Sequence, residues 1–217
     1  MVTGAVHQCD EQFTSFLRDL PKCEHHVHLE GTLEPSLLFT LAERNGITLP
    51  DFFPKSPEAC TERYNNFADL QDFLDHYYIG MGVLIKEDDF YDLAMQYFKK
   101  AHEDGCAHSE VFFDPQGHVE RGISLDVVVK GFDRACKDAT SQYGNTNKLI
   151  MCLLRHLPNE DGLKTIKEAA PYYHSGVIHG LGLDSSEKPF PPHLFAESYA
   201  YAKENFPNVQ LTAHAGE

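Results

Sequence analysis

Five short apolar runs, at residues 22–28, 107–114, 148–155, 177–183 and 209–215, alternate with stretches of helical patterning along the chain. That alternation constrains the fold more than any other feature, because strands joined through helices come out parallel, in one sheet wound with helices. Helices are predicted at 35–44, where Pro35 suits a first turn and Gly46 a stop, and at 124–143, 161–173 and 193–205. The connection between the first two runs covers about residues 29–106, far beyond the dozen or so residues of an ordinary crossover, so it is expected to hold extra helices. Within it, Phe67, Leu70, Phe73, Leu74, Tyr77, Tyr78 and Met81 fall at helical spacing, as do Phe90, Leu93, Ala94, Tyr97 and Phe98. Both read as amphipathic helices, and the first also reads as a lid, since a parallel barrel keeps its active site at the C-terminal ends of its strands.

No repeat, low-complexity tract or polar linker divides the chain, so residues 1–217 are read as one domain. The Pro-rich KPFPPHLF, residues 188–195, reads as a stiff loop entering a helix. With 42% hydrophobic and 24% charged residues the composition is that of a soluble globular protein. No apolar run approaches the length of a spanning helix, and MVTGAVHQCDEQF lacks the basic start and apolar middle of a secretory signal, so the chain is expected to begin near Met1. A formal net charge of −15 argues against a nucleic-acid backbone or an anionic membrane as partner, and is compatible with a neutral or cationic small substrate. Cys9, Cys23, Cys60, Cys106, Cys136 and Cys152 form no CxxC pair and are expected as reduced core residues. Oligomeric state is not legible.

The stretch PKCEHHVHLEG, residues 21–31, is where chemistry concentrates. Side chains alternate along a strand, so His26 and His28 are expected on one face and His25, as an outward packing residue, on the other. Gly31 then permits a sharp turn. A bare H-x-H is a weak signal, but LTAHAGE, residues 211–217, ends the last strand candidate with His214 on its polar face. Three neutral imidazoles with a water or a carboxylate make a catalytic metal site, with zinc the first expectation and iron, cobalt or manganese the alternatives. Glu217, beyond the Ala215-Gly216 turn, is placed to move protons beside a metal-bound water. Asp184 and Ser185 end the fourth strand candidate at the same mouth and read either as substrate-pocket residues or as a turn capping the next helix. Asp114, Arg155 and His156 also end strands, and read as structural ion pairing as readily as anything catalytic.

EHHVHLEG with the later TAHAGE resembles the adenosine/adenine deaminase family, whose barrels carry H-x-H on strand one and H-A-G-E on strand five. LPKCEHHVHLEGTLEP, FADLQDFLDHYYIG, EVFFDPQGH, KLIMCLLRH and LGLDSSEKPFPP are similar to its fungal adenine deaminase branch, so the resemblance runs over essentially the whole chain. It implies an α/β fold, the N-terminal five strands of a TIM-type (β/α)8 barrel with extra helices inserted after strand one. It also implies hydrolytic deamination of adenine, a small-molecule purine base, to hypoxanthine and ammonia in purine salvage. One zinc ion would be held by His26, His28 and His214, with Glu217 the proton donor and Glu30 the substrate-side acid. For Glu30 a solvated acid at a strand end is the competing reading. Adenosine or N6-substituted purine deamination, and a catalytically dead metal-binding fragment, are the alternative functions. The implied compartment is the cytoplasm, with the nucleus as an alternative.

The family pattern continues with a His-Gly stretch on strand six and an Asp-Asp pair on strand eight, whereas this sequence stops at Glu217. The domain is therefore expected to be incomplete at its C-terminus, with truncation favoured over a natural short form. Five strands of eight would leave two open edges, and the 217-residue chain by itself is expected to turn over adenine far more slowly than a full-length relative.

Overall fold

The computed structural model describes residues 11–216. Its strands are β1 (Lys22–His28), β2 (Cys106–Phe113), β3 (Thr146–Leu154), β4 (Ile178–Asp184) and β5 (Gln210–Leu211). They form one sheet in the order β1-β2-β3-β4-β5, every neighbouring pair parallel. The helices are α1 (Glu11–Asp19), α2 (Pro35–Asn45), α3 (Pro57–Arg63), α4 (Leu70–Met81), α5 (Glu87–Glu103), α6 (Pro115–Val119), α7 (Leu125–Tyr143), α8 (Asn159–Glu168), α9 (Ala170–His174) and α10 (Ala196–Asn205). As the length of the first connection requires, α2 to α5 all lie between β1 and β2. None of the helices among the described residues is long and apolar enough to cross a membrane.

The strands have two differently used faces. Val111 and Phe113 of β2, Met151 and Leu153 of β3, and Leu181 and Leu183 of β4 point toward the helices and join Phe90, Leu93 and Phe98 of α5 and Val128 and Phe132 of α7 in one buried cluster. Each such side chain contributes about 1.5–3 kcal/mol of transfer free energy, so this outer layer holds the fold together. Phe112, Ile150 and Cys152 alternate with them and form a separate small cluster on the concave face. Gly131 of α7 lets the two long helices touch: a Cβ there would stand 2.6 Å from Glu87 O and from Phe90 Cβ. On the concave side a Cβ at Gly182 would stand 2.6 Å from Cys152 Sγ, so β4 has no room for a side chain there.

Several elements depart from the sequence reading. The helix expected at 161–173 is two, because Pro171 has no N–H to donate within a helix and instead starts the first turn of α9. The strand expected at 209–215 keeps regular pairing only at Gln210–Leu211, although Thr212 N and His214 N still donate to Leu181 O and Leu183 O, both at 2.9 Å. The pairing of β1 with β2 is irregular at two places, the first of them between Lys22 and Cys23. The pairing register shifts again between Glu24 and Val27, so His25 and His26 both lie opposite Glu110, a bulge of one extra residue. His25 is therefore not packed against the helices; its Nδ1 lies 3.3 Å from Glu110 Oε2 and its side chain is 69% exposed. Of the cysteines, Cys60 and Cys152 are buried as expected, Cys23 is exposed instead, Cys106 and Cys136 are half-buried, and these five are free thiols. Cys9 lies outside the described residues.

Candidate metal centre

β1 and β5 stand at opposite ends of the five-strand order, and the curvature of the sheet brings their C-terminal ends together. His214 Nε2 lies 2.9 Å from His26 Nε2 and 3.1 Å from His28 Nε2. The bulge preserves this convergence: it absorbs His25 as the extra residue, and both His26 and His28 rest on the ring of Phe112, with centroids 4.7 and 5.2 Å away. The three histidines singled out from the sequence are thus gathered at one point, and Asp184 and Ser185 border the same cavity. Glu217 lies outside the described residues.

Behind His28 stand two buried carboxyls. Asp184 Oδ2 is 3.3 Å and Asp114 Oδ1 3.7 Å from His28 Nδ1, and the Tyr77 hydroxyl donates to Asp114 Oδ2 at 2.6 Å. Burial, and then the neighbouring Asp114 charge, push Asp184 well above the usual carboxylate range. Burial acts on Asp114 in the same sense, but its bond to and attraction by the His28 ring, with further bonds from Asp184 and Tyr77, hold it well below that range. These opposite shifts favour the negative charge of the pair on Asp114. That charge anchors the proton of His28 on Nδ1 and leaves the Nε2 lone pair facing the other imidazoles.

This arrangement tests whether a cation fits. A single proton can satisfy only one of the two short contacts made by His214 Nε2, whereas a cation satisfies all three lone pairs. Nitrogens about 2.05 Å from a tetrahedral zinc stand roughly 3.3 Å apart, close to the observed 2.9 and 3.1 Å. The donor set, three neutral imidazoles with an acid behind one of them, suits zinc.

The imidazoles open into a cavity of ≈ 300 Å³. One wall comes from α4 through Leu70, Phe73, Leu74, Tyr77 and Tyr78, so this helix both packs on the body of the protein and covers the site. It is capped by Asp69, whose carboxylate accepts from Asp72 N at 2.9 Å. The Tyr78 hydroxyl meets Ser185 Oγ at 3.2 Å, and His156 Nδ1 meets the same oxygen at 2.9 Å. Ser185 holds φ +73°, a left-handed conformation uncommon for serine, at this junction. A larger cavity, ≈ 470 Å³, lies at the opposite strand ends around Lys148, Ile178 and Gln210, away from the histidines.

Glu30 is neither on the strand nor solvated. It sits in a 3₁₀ turn, Leu29–Thr32, and its side chain is wholly buried. Asp114 N donates to its Oε1 at 3.0 Å, and His118 Nε2 lies 3.0 Å from the same atom. Arg121 Nη2 donates to His118 Nδ1 at 2.7 Å, which fixes the ring proton on Nε2 and makes the His118 contact a donation to Glu30. Burial, and then Asp114, push Glu30 up to about 8, while burial, and then the Arg121 charge, push His118 down to about 3. Glu30 borders a small void that shares Gly31, Phe73 and Tyr77 with the histidine cavity, rather than that cavity itself. Sequence reasoning missed His118, Arg121 and Tyr77 as site residues. The i, i+3 spacing of His118 and Arg121 was the available signal; nothing in the sequence joins them to Glu30.

Residues 21–217 match the family model described as adenosine deaminase. An adenine deaminase of Candida albicans is 75% identical over 213 residues, covering 98% of this chain and 60% of its own length. That of Saccharomyces cerevisiae is 63% identical over 202 residues, covering 93% and 58%. The crystal structure of an adenine deaminase from Arthrobacter aurescens superposes with a TM-score of 0.83 at 39% identity, over 90% of this chain and 57% of that one. A zinc-bound amidohydrolase from Burkholderia ambifaria shares the fold, with a TM-score of 0.81 at 22% identity over 99% and 57%. The chain spans about 60% of the length of the curated relatives it matches.

Proposed function

The chain belongs to the adenosine deaminase family, and from that premise we propose that it hydrolyses adenine to hypoxanthine and ammonia in purine salvage, using one zinc ion. The meeting of His26, His28 and His214 Nε2 atoms on the concave side of the sheet carries this reading. The high identity to the fungal adenine deaminases favours the free base over adenosine or an N6-substituted purine.

In this reading His26, His28 and His214 hold the ion, with iron, cobalt or manganese as alternative occupants. A bound zinc ion supplies a water whose pKa is lowered to about 7. Asp184 and Asp114 keep His28 in the ligating tautomer. The purine lies against the apolar wall of Phe73, Tyr77 and Tyr78, which excludes bulk water from the reacting carbon, with Asp184 and Ser185 at its edge. Glu217 serves as the proton donor: neutral at first, it protonates a ring nitrogen, which makes the amino-bearing carbon electrophilic toward water, and once ionised it takes a proton from the adding water and passes it to the amine as the carbon–nitrogen bond breaks. Glu30 serves as the substrate-side acid, with Oε1 engaged by Asp114 N and His118 and Oε2 left to meet a ring nitrogen past Gly31 and Tyr77. The cytoplasm is the proposed compartment, with the nucleus as an alternative, and the 217 residues are proposed as part of a single deaminase domain.

The test is formation of the deaminated purine, hypoxanthine or inosine, by the zinc-loaded full-length protein with adenine, adenosine and N6-methyladenine side by side, the leaving group being ammonia from the first two and methylamine from the third. Adenine is expected to be turned over in strong preference. Preference for the nucleoside or the N6-methyl base overturns the substrate assignment, and zinc bound without a deaminated product from any of them overturns the enzymatic one.

A further inference from the structure

Arg155 follows β3, and its side chain is fully buried, a rare place for a guanidinium without a tight carboxylate partner. Among the described residues its nearest carboxylate oxygen is Glu187 Oε1, at 3.9 Å. What it engages instead is backbone: Nε donates to Phe190 O at 2.8 Å and Nη1 to His214 O at 3.1 Å, while its own N–H donates to Asp184 O at 3.1 Å. Nη2 has no hydrogen-bond partner among the described residues.

The bond to His214 falls where the sheet is weakest. Regular pairing of β5 ends at Leu211, so the segment bearing the third imidazole is tied by a few single bonds. Thr212 N donates to Leu181 O at 2.9 Å and Tyr199 Oη to Thr212 O at 2.6 Å. His214 N donates to Leu183 O at 2.9 Å, and Arg155 takes its carbonyl. Both peptide groups of the imidazole-bearing residue are thereby fixed, one by β4 and the other by a rigid planar fork that also grips the loop at Phe190. A buried charge solvated by two carbonyls is costly to keep, and an apolar side chain of the same length would fill the space.

We propose that Arg155 is the positioning residue of the metal centre: by holding the His214 carbonyl it sets the third imidazole at the distance from the other two that a single ion requires. The inference rests on the zinc reading above. A lysine would supply the charge but not two directed donors at fixed separation.

The experiment measures zinc affinity of the full-length protein by competition with a chromophoric chelator, for the wild type, Arg155→Met and Arg155→Lys, together with the melting temperature of each metal-free protein. Arg155→Met is expected to bind zinc roughly 10- to 100-fold more weakly, the range for losing a group that orients a ligand. Arg155→Lys is expected to fall between it and the wild type, and the visible spectrum of the cobalt-loaded variants is expected to shift. A folded Arg155→Met protein with wild-type zinc affinity and cobalt spectrum overturns the inference. Should Arg155→Met fail to fold, Arg155→Lys decides alone, and undiminished affinity there overturns it equally. A wild-type protein that binds no zinc overturns the metal reading and this inference with it, whereas zinc held equally by all three overturns this inference only.

Discussion

His118 is buried, neutral and committed: one nitrogen accepts from Arg121 and the other donates to Glu30. Its value in the folded protein is depressed from 6.5 to about 3, so between those limits the unfolded chain takes up a proton that the native state refuses. The contribution of His118 to native stability should therefore decline as pH falls from 6.5 toward 3. Glu30 works in the opposite sense, because its folded value is raised from 4.5 to about 8; the stability it contributes is complete below 4.5 and is lost as pH rises toward 8. Urea denaturation across this range should show His118→Gln, which keeps a donor for Glu30 but takes up no proton, with a flatter acid limb than the wild type. An acid limb of unchanged slope would remove His118 from the account. If Glu217 is the proton donor proposed above, Glu217→Gln should retain bound zinc while turnover falls by about 10²–10⁴-fold, the usual span for losing a general acid. Metal content and ammonia release on the same sample decide it, and an active variant would refute the role.

Among the elements, α5 and α7 approach closely enough that Gly131 has no room for a methyl group. Gly131→Ala should cost about 1–3 kcal/mol by overpacking despite the better helix propensity of alanine, measured as a lower urea midpoint with unchanged slope. The same scale shows what could be read from the sequence. The strand-helix alternation, the extra helices after β1 and the inward pair His26 and His28 follow from periodicity, because periods of 2 and 3.6 residues are written directly in the order of apolar side chains. The bulge at His25 is not, since an added residue changes the pairing partner and leaves the apolar pattern intact. Pro171 marks the division between α8 and α9 in plain view, and its effect depends on local chemistry alone. By contrast, the Asp184 carboxyl behind His28 and the Arg121-His118-Glu30 chain join residues remote in sequence, and each identity alone suits an ordinary turn or ion pair equally well.

For the molecule as a whole, the described sheet has β1 and β5 at its two margins, and their C-terminal tips converge on the histidines. Lys22 to His26 are exposed along β1, and both residues of β5 are exposed as well. Unpaired strand margins recruit other strands. A polypeptide of these 217 residues alone should therefore self-associate with rising concentration, which sedimentation velocity would reveal; a strictly monomeric species across the concentration series would contradict this. The division of labour across the molecule has its own outcome. The imidazoles stand on the sheet, but the aromatic wall against which the base would rest hangs on α4, inside an excursion that the strand order does not need. Evolution can thus exchange the surface that would recognise a ligand, one helix at a time, without disturbing the scaffold that carries the imidazoles, and new preferences in such proteins should arise first in that excursion.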